Sequence, residues 1–265
     1  MYAFEYHKPS SGEEAVAALS GKDDPKIVAG GMTLLPTMKQ RLAAPSDLVD
    51  LGGIKDLAGI REEGNALVIG AMTTHATVAR SELVASRIPA LAKLAGGIGD
   101  PQVRHRGTIG GSVANADPAA DYPAALLGLN ATVVTNQREI AAEDFFIDLF
   151  ETALEPEEVI TAVRFPVPQR AGYSKFPNPA SRYAIVGVFV AQTGAGTRVA
   201  VTGAKGSVFR VPEMEQALAS NFSPDAVANI RVPADDMNSD IHASAEYRAH
   251  LVTVMAKRAV VAAQA

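Results

Sequence analysis

The chain has 265 residues and a net charge of −5, and this length is enough for two or three compact units. It has no cysteine, which excludes a disulfide, a thiolate nucleophile and a cysteine-ligated iron–sulfur cluster. Charges of both signs are spread along it without a basic block, and no apolar run approaches a membrane span, which argues against nucleic acid or a membrane as partner. Because the N-terminus MYAFEYHKPS has no signal-peptide pattern and the five histidines show no metal-ligand spacing, we expect a cytoplasmic protein without a metal site.

The first fifty residues predict a small α/β unit. A helix capped by a serine pair ends near Leu19, and a short apolar strand follows at 26–28. A second helix over 34–42 carries a proline in its first turn, where proline is tolerated. A strand over 48–51 completes the unit, and a glycine pair after it marks a boundary near residue 53.

The connection between the strand at 26–28 and the next helix is the first glycine-rich segment. Glycine lets backbone N–H groups come close to a ligand and adopt φ > 0, and a helix N-terminus attracts anions. The pattern therefore predicts a phosphate site, although it is neither a Walker loop nor a GxGxxG fingerprint. The candidate residues are Ala29, Gly30, Gly31, Met32, Thr33 and Leu34.

A larger α+β unit is predicted up to about residue 170. It begins with a hairpin over 60–70 that turns at a Gly-Asn pair, followed by helices over 77–80 and 83–94. A second hairpin over 131–140 and a strand over 158–164 end the unit.

A second glycine-rich segment lies inside this unit, between residues 99 and 127. We predict a turn at 107–112 whose consecutive N–H groups form an anion site, with a helix beginning only near Ala119. Two such turns indicate one ligand held from two sides, as a pyrophosphate would be. The candidate residues are Gly107, Thr108, Ile109, Gly110, Gly111, Ser112, Ala114 and Asn115.

The remainder predicts an antiparallel meander followed by helices. Its last helix is long and repeats apolar residues at helical spacing. The predicted strands are 183–193, 198–202 and 207–211. The predicted helices are 213–219, 224–229 and 243–263.

Three segments carry a family resemblance: AGGMTLLPTMKQRLAAPSDLVDL, IGAMTTHATV and IGDPQVRHRGTIGGSVANADPAADYPA. They resemble the flavoprotein subunit of the molybdenum hydroxylases, which include xanthine dehydrogenase and aerobic carbon monoxide dehydrogenase, and most of all the medium, FAD-binding chain of the carbon monoxide dehydrogenase type. The resemblance is specific over 29–125 and weaker, but collinear, from residue 173 onward. Met32, Thr33 and Ser112 depart from the family's usual residues. These changes affect side chains only, so the backbone N–H groups can still donate hydrogen bonds to a ligand.

The resemblance implies an α+β fold. A two-subdomain FAD-binding domain of the vanillyl-alcohol-oxidase and p-cresol-methylhydroxylase type is expected over 1–170, with subdomains of about 1–53 and 54–170 and FAD between them. A C-terminal domain of antiparallel sheet and helices is expected over 171–265.

The resemblance also implies an electron-transfer subunit. Molybdopterin is expected on a large partner chain and [2Fe–2S] clusters on a small one, in a dimer of heterotrimers. The substrate stays open among carbon monoxide, a purine, an aldehyde and an N-heterocycle, and so does the terminal electron acceptor.

The family's cofactor contacts match further positions here. The two glycine-rich segments match its pyrophosphate and ribityl contacts. Gly70, Ala71 and Thr73 match a segment that passes near the flavin, and Ile160 matches a position where backbone meets adenine.

Four residues match the region of the flavin ring. Asp117 and Asp121 are four apart and would share a helical face if the helix had begun; Asp121 matches the family's cofactor-contacting aspartate, but which of the two contacts FAD stays open. Lys175 and Tyr183 lie where the family's chain returns to the ring. An aromatic side chain can cover the ring, and a lysine can stabilise its reduced form, although Tyr183 could equally be a core residue.

Two other functions stay open at this point. The first is a stand-alone FAD-dependent oxidoreductase, which would need acid–base residues beside the ring that the sequence does not reveal. The second is a nucleotide-binding subunit without a redox role. Flavin absorbance of the purified chain separates this second alternative from the other two.

Overall fold

The computed structural model describes residues 1–264, which form four β-sheets and the helices around them. The strands are β1 (Glu5–His7), β2 (Pro25–Val28), β3 (Asp47–Asp50), β4 (Ile60–Glu63), β5 (Ala66–Gly70), β6 (Thr132–Thr135), β7 (Glu139–Ala141), β8 (Phe146–Asp148), β9 (Glu151–Thr152), β10 (Ile160–Pro166), β11 (Arg170–Pro177), β12 (Ala184–Thr193), β13 (Gly196–Thr202) and β14 (Phe209–Arg210). The α-helices are α1 (Gly12–Leu19), α2 (Leu34–Lys39), α3 (His75–Arg80), α4 (Glu82–Arg87), α5 (Pro89–Gly96), α6 (Pro101–Arg106), α7 (Ile109–Asn115), α8 (Tyr122–Gly128), α9 (Ala142–Phe145), α10 (Pro212–Ser220), α11 (Pro224–Val227) and α12 (Ala245–Ala262). Over the same 264 residues, no helix combines the length and apolarity needed to span a bilayer.

The N-terminal unit is a three-stranded parallel sheet in the order β1-β3-β2. The serine-capped helix is confirmed as α1, in which the Ser11 hydroxyl accepts a hydrogen bond from the Glu14 N–H. The apolar side of α1 packs on β3 through Ala15, Leu19 and Val49. Strand β2 ends at the first glycine-rich segment, which therefore emerges from the carboxyl edge of this sheet.

The central unit is a five-stranded sheet in the order β4-β5-β10-β6-β7. Both predicted hairpins are confirmed as β4–β5 and β6–β7. Helices α3, α4, α5, α7 and α8 contribute to the core of this unit, which includes Leu67, Ile69, Leu91 and Phe165, and α6 lies against α3.

The C-terminal unit confirms the antiparallel meander, in the order β11-β12-β13-β14. Helix α12 covers it through Leu251, Val252 and Met255. The structure adds β11, a strand that the sequence pattern did not single out. Side chains of β11 and β12, among them Tyr173 and Phe189, join the core of the central unit, so these two units share a packed interface.

The prediction for the second glycine-rich segment is wrong in its local structure. Residues 101–106 form helix α6, and α7 begins at Ile109 with Thr108 as its N-cap. The next helix begins at Tyr122 and not near Ala119, so Asp117 and Asp121 lie on the connection between α7 and α8 and share no helical face. The glycines suggested a turn because glycine is a poor helix former, but here they permit close helix packing.

Candidate functional site

A cavity of about 480 Å³ lies where the two glycine-rich segments face each other. This volume is in the range of cofactor sites. Most of the predicted residues line it: Ala29, Gly30, Gly31, Met32, Thr33, Leu34, Ala71, Gly107, Thr108, Gly110, Gly111, Ser112, Ala114, Asn115, Asp117, Asp121, Ile160 and Tyr183.

Four predicted residues lie behind the wall of the cavity instead. Gly70 packs against the backbone of Leu57, which leaves no room for a β-carbon. The Thr73 hydroxyl exchanges hydrogen bonds with the backbone of Gly59 at 2.9 and 3.1 Å, and Ile109 is fully buried in the core. The fourth, Lys175, reaches the site through Asp121, as described below.

The first glycine-rich segment presents free backbone donors to the cavity. Within the described chain, none of the N–H groups of residues 30–33 donates to a protein acceptor. Gly30 and Gly31 are buried, and Gly31 has φ +70. Buried N–H groups are rarely left without a partner, and here they adjoin the N-terminus of α2, so the segment is suited to bind an anion.

The second segment keeps fewer free donors than predicted: within the described chain, the Thr108 N–H has no protein acceptor, but its neighbours do. Ile109 and Gly110 donate to the carbonyls of Thr73 and Ala71 at 3.0 and 2.8 Å. Gly111 donates to the Thr108 hydroxyl at 3.2 Å, and the Ser112 N–H donates to the Thr108 carbonyl. The segment therefore offers hydroxyl groups, the Thr108 N–H and a close-fitting surface to a ligand, while its other N–H groups over 107–112 serve the fold.

The two segments touch each other directly at Gly30. A β-carbon at this position would collide with the carbonyl of Arg106, just before Gly107. Glycine at position 30 is therefore required for the packing that closes one end of the cavity, whatever the ligand.

A buried ion pair forms another part of the wall. Asp121 is 4% exposed; it accepts a hydrogen bond from the Tyr173 hydroxyl at 2.5 Å and pairs with the Lys175 ammonium at 2.9 Å. Burial raises the pKa of Asp121, while the charge of Lys175 and the Tyr173 hydrogen bond oppose that rise. The network holds the carboxylate in one place at the edge of the cavity.

Lys175 also bonds to two backbone carbonyls, of Gly97 at 2.9 Å and of Arg182 at 2.8 Å. An ammonium has three donors, and these two carbonyls and Asp121 use all of them. Lys175 therefore ties α5 and the loop before β12 to Asp121, and its effect on a ligand passes through these groups.

Tyr183 lies at the mouth of the cavity. It is 43% exposed, which excludes its interpretation as a core tyrosine. Burial and the charge of Asp117 raise its pKa, and the neighbouring Thr33 hydroxyl opposes that rise. Tyr183 of the C-terminal unit therefore lines the same cavity as the first glycine-rich segment.

Ile160, another residue of the cavity wall, is buried and lies two residues after a buried carboxylate, that of Glu158. Glu158 accepts hydrogen bonds from Arg138 at 3.0 Å and from Thr135 at 2.7 Å. The Arg138 guanidinium, helped by Thr135 and backbone, lowers the pKa of Glu158 to about 2. This carboxylate is fully used inside the protein, so it fixes the strand start without offering a free charge to a ligand.

The cavity-lining residues that the sequence reasoning missed include His75, Ser181 and Arg182. Arg182 has φ +65, a conformation uncommon for residues other than glycine. Ser181 and Arg182 lie in no quoted motif, and His75 lies in the segment IGAMTTHATV without any spacing that marks its side chain. These residues come from a loop and a helix start that only the fold brings to the site.

Known proteins with related sequences cover this chain from end to end. The family described as the FAD binding domain in molybdopterin dehydrogenase matches residues 2–168. The nicotine 6-hydroxylase medium subunit of Paenarthrobacter nicotinovorans is 40% identical, over 99% of this chain and 98% of its own length. The carbon monoxide dehydrogenase medium chain of Afipia carboxidovorans is 38% identical, over 99% of this chain and 97% of its own.

A solved structure agrees with these sequences. The carbon monoxide dehydrogenase from Hydrogenophaga pseudoflava that lacks the Mo-pyranopterin moiety of the molybdenum cofactor superposes with a TM-score of 0.88 at 38% identity. The alignment covers 98% of this chain and 97% of that chain. The mixed α+β class predicted from the sequence is thereby confirmed.

Proposed function

We propose, from the premise that this chain belongs to the family of FAD-binding subunits of molybdopterin dehydrogenases, that it transfers electrons within a molybdenum-containing hydroxylase. The chain is an FAD-dependent oxidoreductase subunit of the medium type. In this proposal it receives electrons from iron–sulfur clusters on a partner chain and passes them to an external acceptor. When bound, FAD supplies the redox group that the side chains of a cysteine-free chain lack.

The observation that carries the proposal is the set of free N–H groups at residues 30–33. Backbone donors at a helix N-terminus suit a pyrophosphate, and the cavity fits the rest of such a ligand. We assign the pyrophosphate to these donors, with the Ser112 hydroxyl facing it from the second segment.

The ends of the cavity suggest the orientation of the cofactor. Asp121, fixed by Lys175, offers a carboxylate acceptor for the flavin ring, and Tyr183 covers the opening beside it. The buried, apolar surroundings of Ile160 suit adenine. The remaining cavity-lining residues of the prediction are assigned to contacts along the ribityl chain.

The proposal also covers the type of domain, the partner chains and the location. We propose that the first two units correspond to a vanillyl-alcohol-oxidase and p-cresol-methylhydroxylase type domain over 1–170, followed by a C-terminal domain over 171–265. A large molybdopterin-binding chain and a small iron–sulfur chain are the proposed partners, as a dimer of heterotrimers. The cytoplasmic location stays a prediction.

FAD uptake tests the binding site. Gly31→Val adds a side chain against Leu35 at a left-handed backbone position, and Gly111→Val adds one against Thr108 and Ala29. Both should lower the FAD content, measured by absorbance after gel filtration. Gly194→Val is the matched control, because a β-carbon there meets nothing within 4 Å. Full FAD content in both site variants would refute the assignment.

Electron transfer is tested in the native complex. The physiological substrate, once identified from nicotine-like, carbon monoxide and related candidates, should bleach the flavin absorbance only when the partner chains are present. Purification of this chain from its host without a cluster-bearing partner would contradict the subunit role.

A further inference from the structure

His75 is a buried histidine in the cavity wall whose side chain makes no hydrogen bond to any group of residues 1–264. It is 4% exposed, and its Nδ1 is enclosed without a partner. Histidines this deeply buried normally bond through at least one ring nitrogen. Because neither ring nitrogen is bonded within residues 1–264, the nitrogen that is not enclosed is available to a group from outside the chain.

The surroundings of the ring orient it. The backbone N–H of His75 donates to the Gly107 carbonyl at 3.0 Å. A β-carbon at Gly107 would come within 2.6 Å of Nε2 of the His75 ring. His75 and Gly107 both line the cavity, and Nδ1 is enclosed whereas Nε2 is not, so Nε2 is the ring nitrogen on the side of the ligand space. The Tyr122 ring, 5.4 Å away between centroids, packs on the ring, and its hydroxyl is also buried without a partner.

The charge state of the ring follows from its position. Burial, with a contribution from the positive charge of Arg104, lowers the pKa of His75 to about 4. The imidazole is therefore neutral near pH 7 and carries one proton. A buried N–H without an acceptor is rarer than an acceptor without a donor, so the proton belongs on Nε2 and the enclosed Nδ1 keeps its lone pair.

We propose that His75 binds FAD, donating a hydrogen bond from Nε2–H to an oxygen or ring nitrogen of the cofactor. The inference rests on the proposed function, since it requires FAD in this cavity. It adds a neutral side-chain donor to a site whose other assigned contacts are backbone N–H groups, hydroxyls and a carboxylate. It also explains why position 107 has no side chain: the imidazole occupies that space.

Three substitutions separate the two ring nitrogens. His75→Gln places an amide nitrogen where Nε2 was, His75→Asn places one where Nδ1 was, and His75→Phe keeps a ring without donors. We expect Phe and Asn to bind FAD about 3- to 10-fold more weakly, the fold-change of one lost hydrogen bond, and Gln to restore most of the affinity. The measurement is FAD titration of the FAD-free protein, with its partner chains present where they co-purify.

A merely structural role predicts a different pattern. In that case thermal unfolding of the FAD-free protein changes among the variants while the FAD dissociation constant does not, and the proposal is overturned. It is also overturned if Asn restores binding and Gln does not. If the Phe variant does not fold, the contrast between Gln and Asn still decides.

The result also separates this inference from the function on which it rests. Failure of the wild-type protein to take up FAD would refute the proposed function itself. Uptake by the wild type with equal affinity in the Phe variant would refute the role of His75 alone.

Discussion

The two glycine-rich segments of the cavity wall each contain a glycine pair, but their backbone N–H groups differ in whether they have protein acceptors. At residues 30–33 no N–H group donates to an acceptor in the described part of the chain, whereas at 109–112 every N–H group does. The first segment is a connection with a left-handed glycine, and the second is a capped helix start. A glycine pair therefore shows that backbone must come close to something, but whether that is a ligand or another helix depends on the packing around it.

The largest effect on stability is expected at Gly110, where a β-carbon would lie 2.5 Å from that of Ala71. Gly110→Ala should lower the free energy of unfolding by about 1–3 kcal/mol, although alanine is the better helix former. Gly111→Ala is the matched control, because its β-carbon meets the Thr108 hydroxyl at 2.9 Å, and the helix gain and the weakened cap should nearly cancel. Urea unfolding compares the two, and equal losses would mean that packing does not explain this segment.

The next effect is expected at Gly31, which has φ +70. Gly31→Ala should destabilise the FAD-free protein by about 1–2 kcal/mol, because a β-carbon is disfavoured in the left-handed region. Gly31→Asn introduces the same β-carbon but tolerates this backbone better, so its loss should be smaller. Thermal unfolding measures both variants; an Asn variant as unstable as the Ala variant would argue that a collision with Leu35, and not backbone strain, sets the loss.

A smaller effect compares the two threonines that begin α7 and α2. Thr108→Ala removes a hydroxyl that accepts the Gly111 N–H and should cost about 1 kcal/mol of stability. Thr33 makes no such capping bond, so Thr33→Ala should leave the free energy of unfolding nearly unchanged. Chemical denaturation of the FAD-free variants checks this, with Thr108→Ser expected to retain the cap.

The smallest effect on stability is expected at Tyr183, which faces the first segment from across the opening. Tyr183→Ala should change the unfolding free energy by less than about 0.5 kcal/mol, as is usual for exposed positions. It should nevertheless raise flavin fluorescence and oxygen reactivity, because a stacked aromatic ring contributes about 1 kcal/mol beyond its buried area. Tyr183→Phe keeps the ring and should behave like the wild type. A melting change with an unaltered flavin spectrum would remove Tyr183 from the site.

Much of the site could be predicted from local sequence because its parts are short and contiguous. The strand, glycine pair and helix at residues 25–39 follow from neighbouring residues alone, and so do the two hairpins of the central sheet. Helix α7 could not be predicted in this way, since its glycines have low helix propensity and are stabilised by contact with Ala71, nearly forty positions earlier. The role of Lys175 was equally hidden, because its partners come from three separate parts of the chain.

The sequence by itself determined the α+β class, the two glycine-rich segments, the absence of a side chain that can hold a metal–sulfur cluster, and the family. These depend on composition, short-range pattern and motif, which folding does not alter. Only the tertiary structure decided which backbone donors remain free, that Asp121 is held by Tyr173 and Lys175, and that His75 reaches the cavity. The physical reason is that hydrogen-bond satisfaction and burial are properties of contacts between distant residues, and a buried donor or ring nitrogen is open to a ligand only where those contacts leave it without a partner.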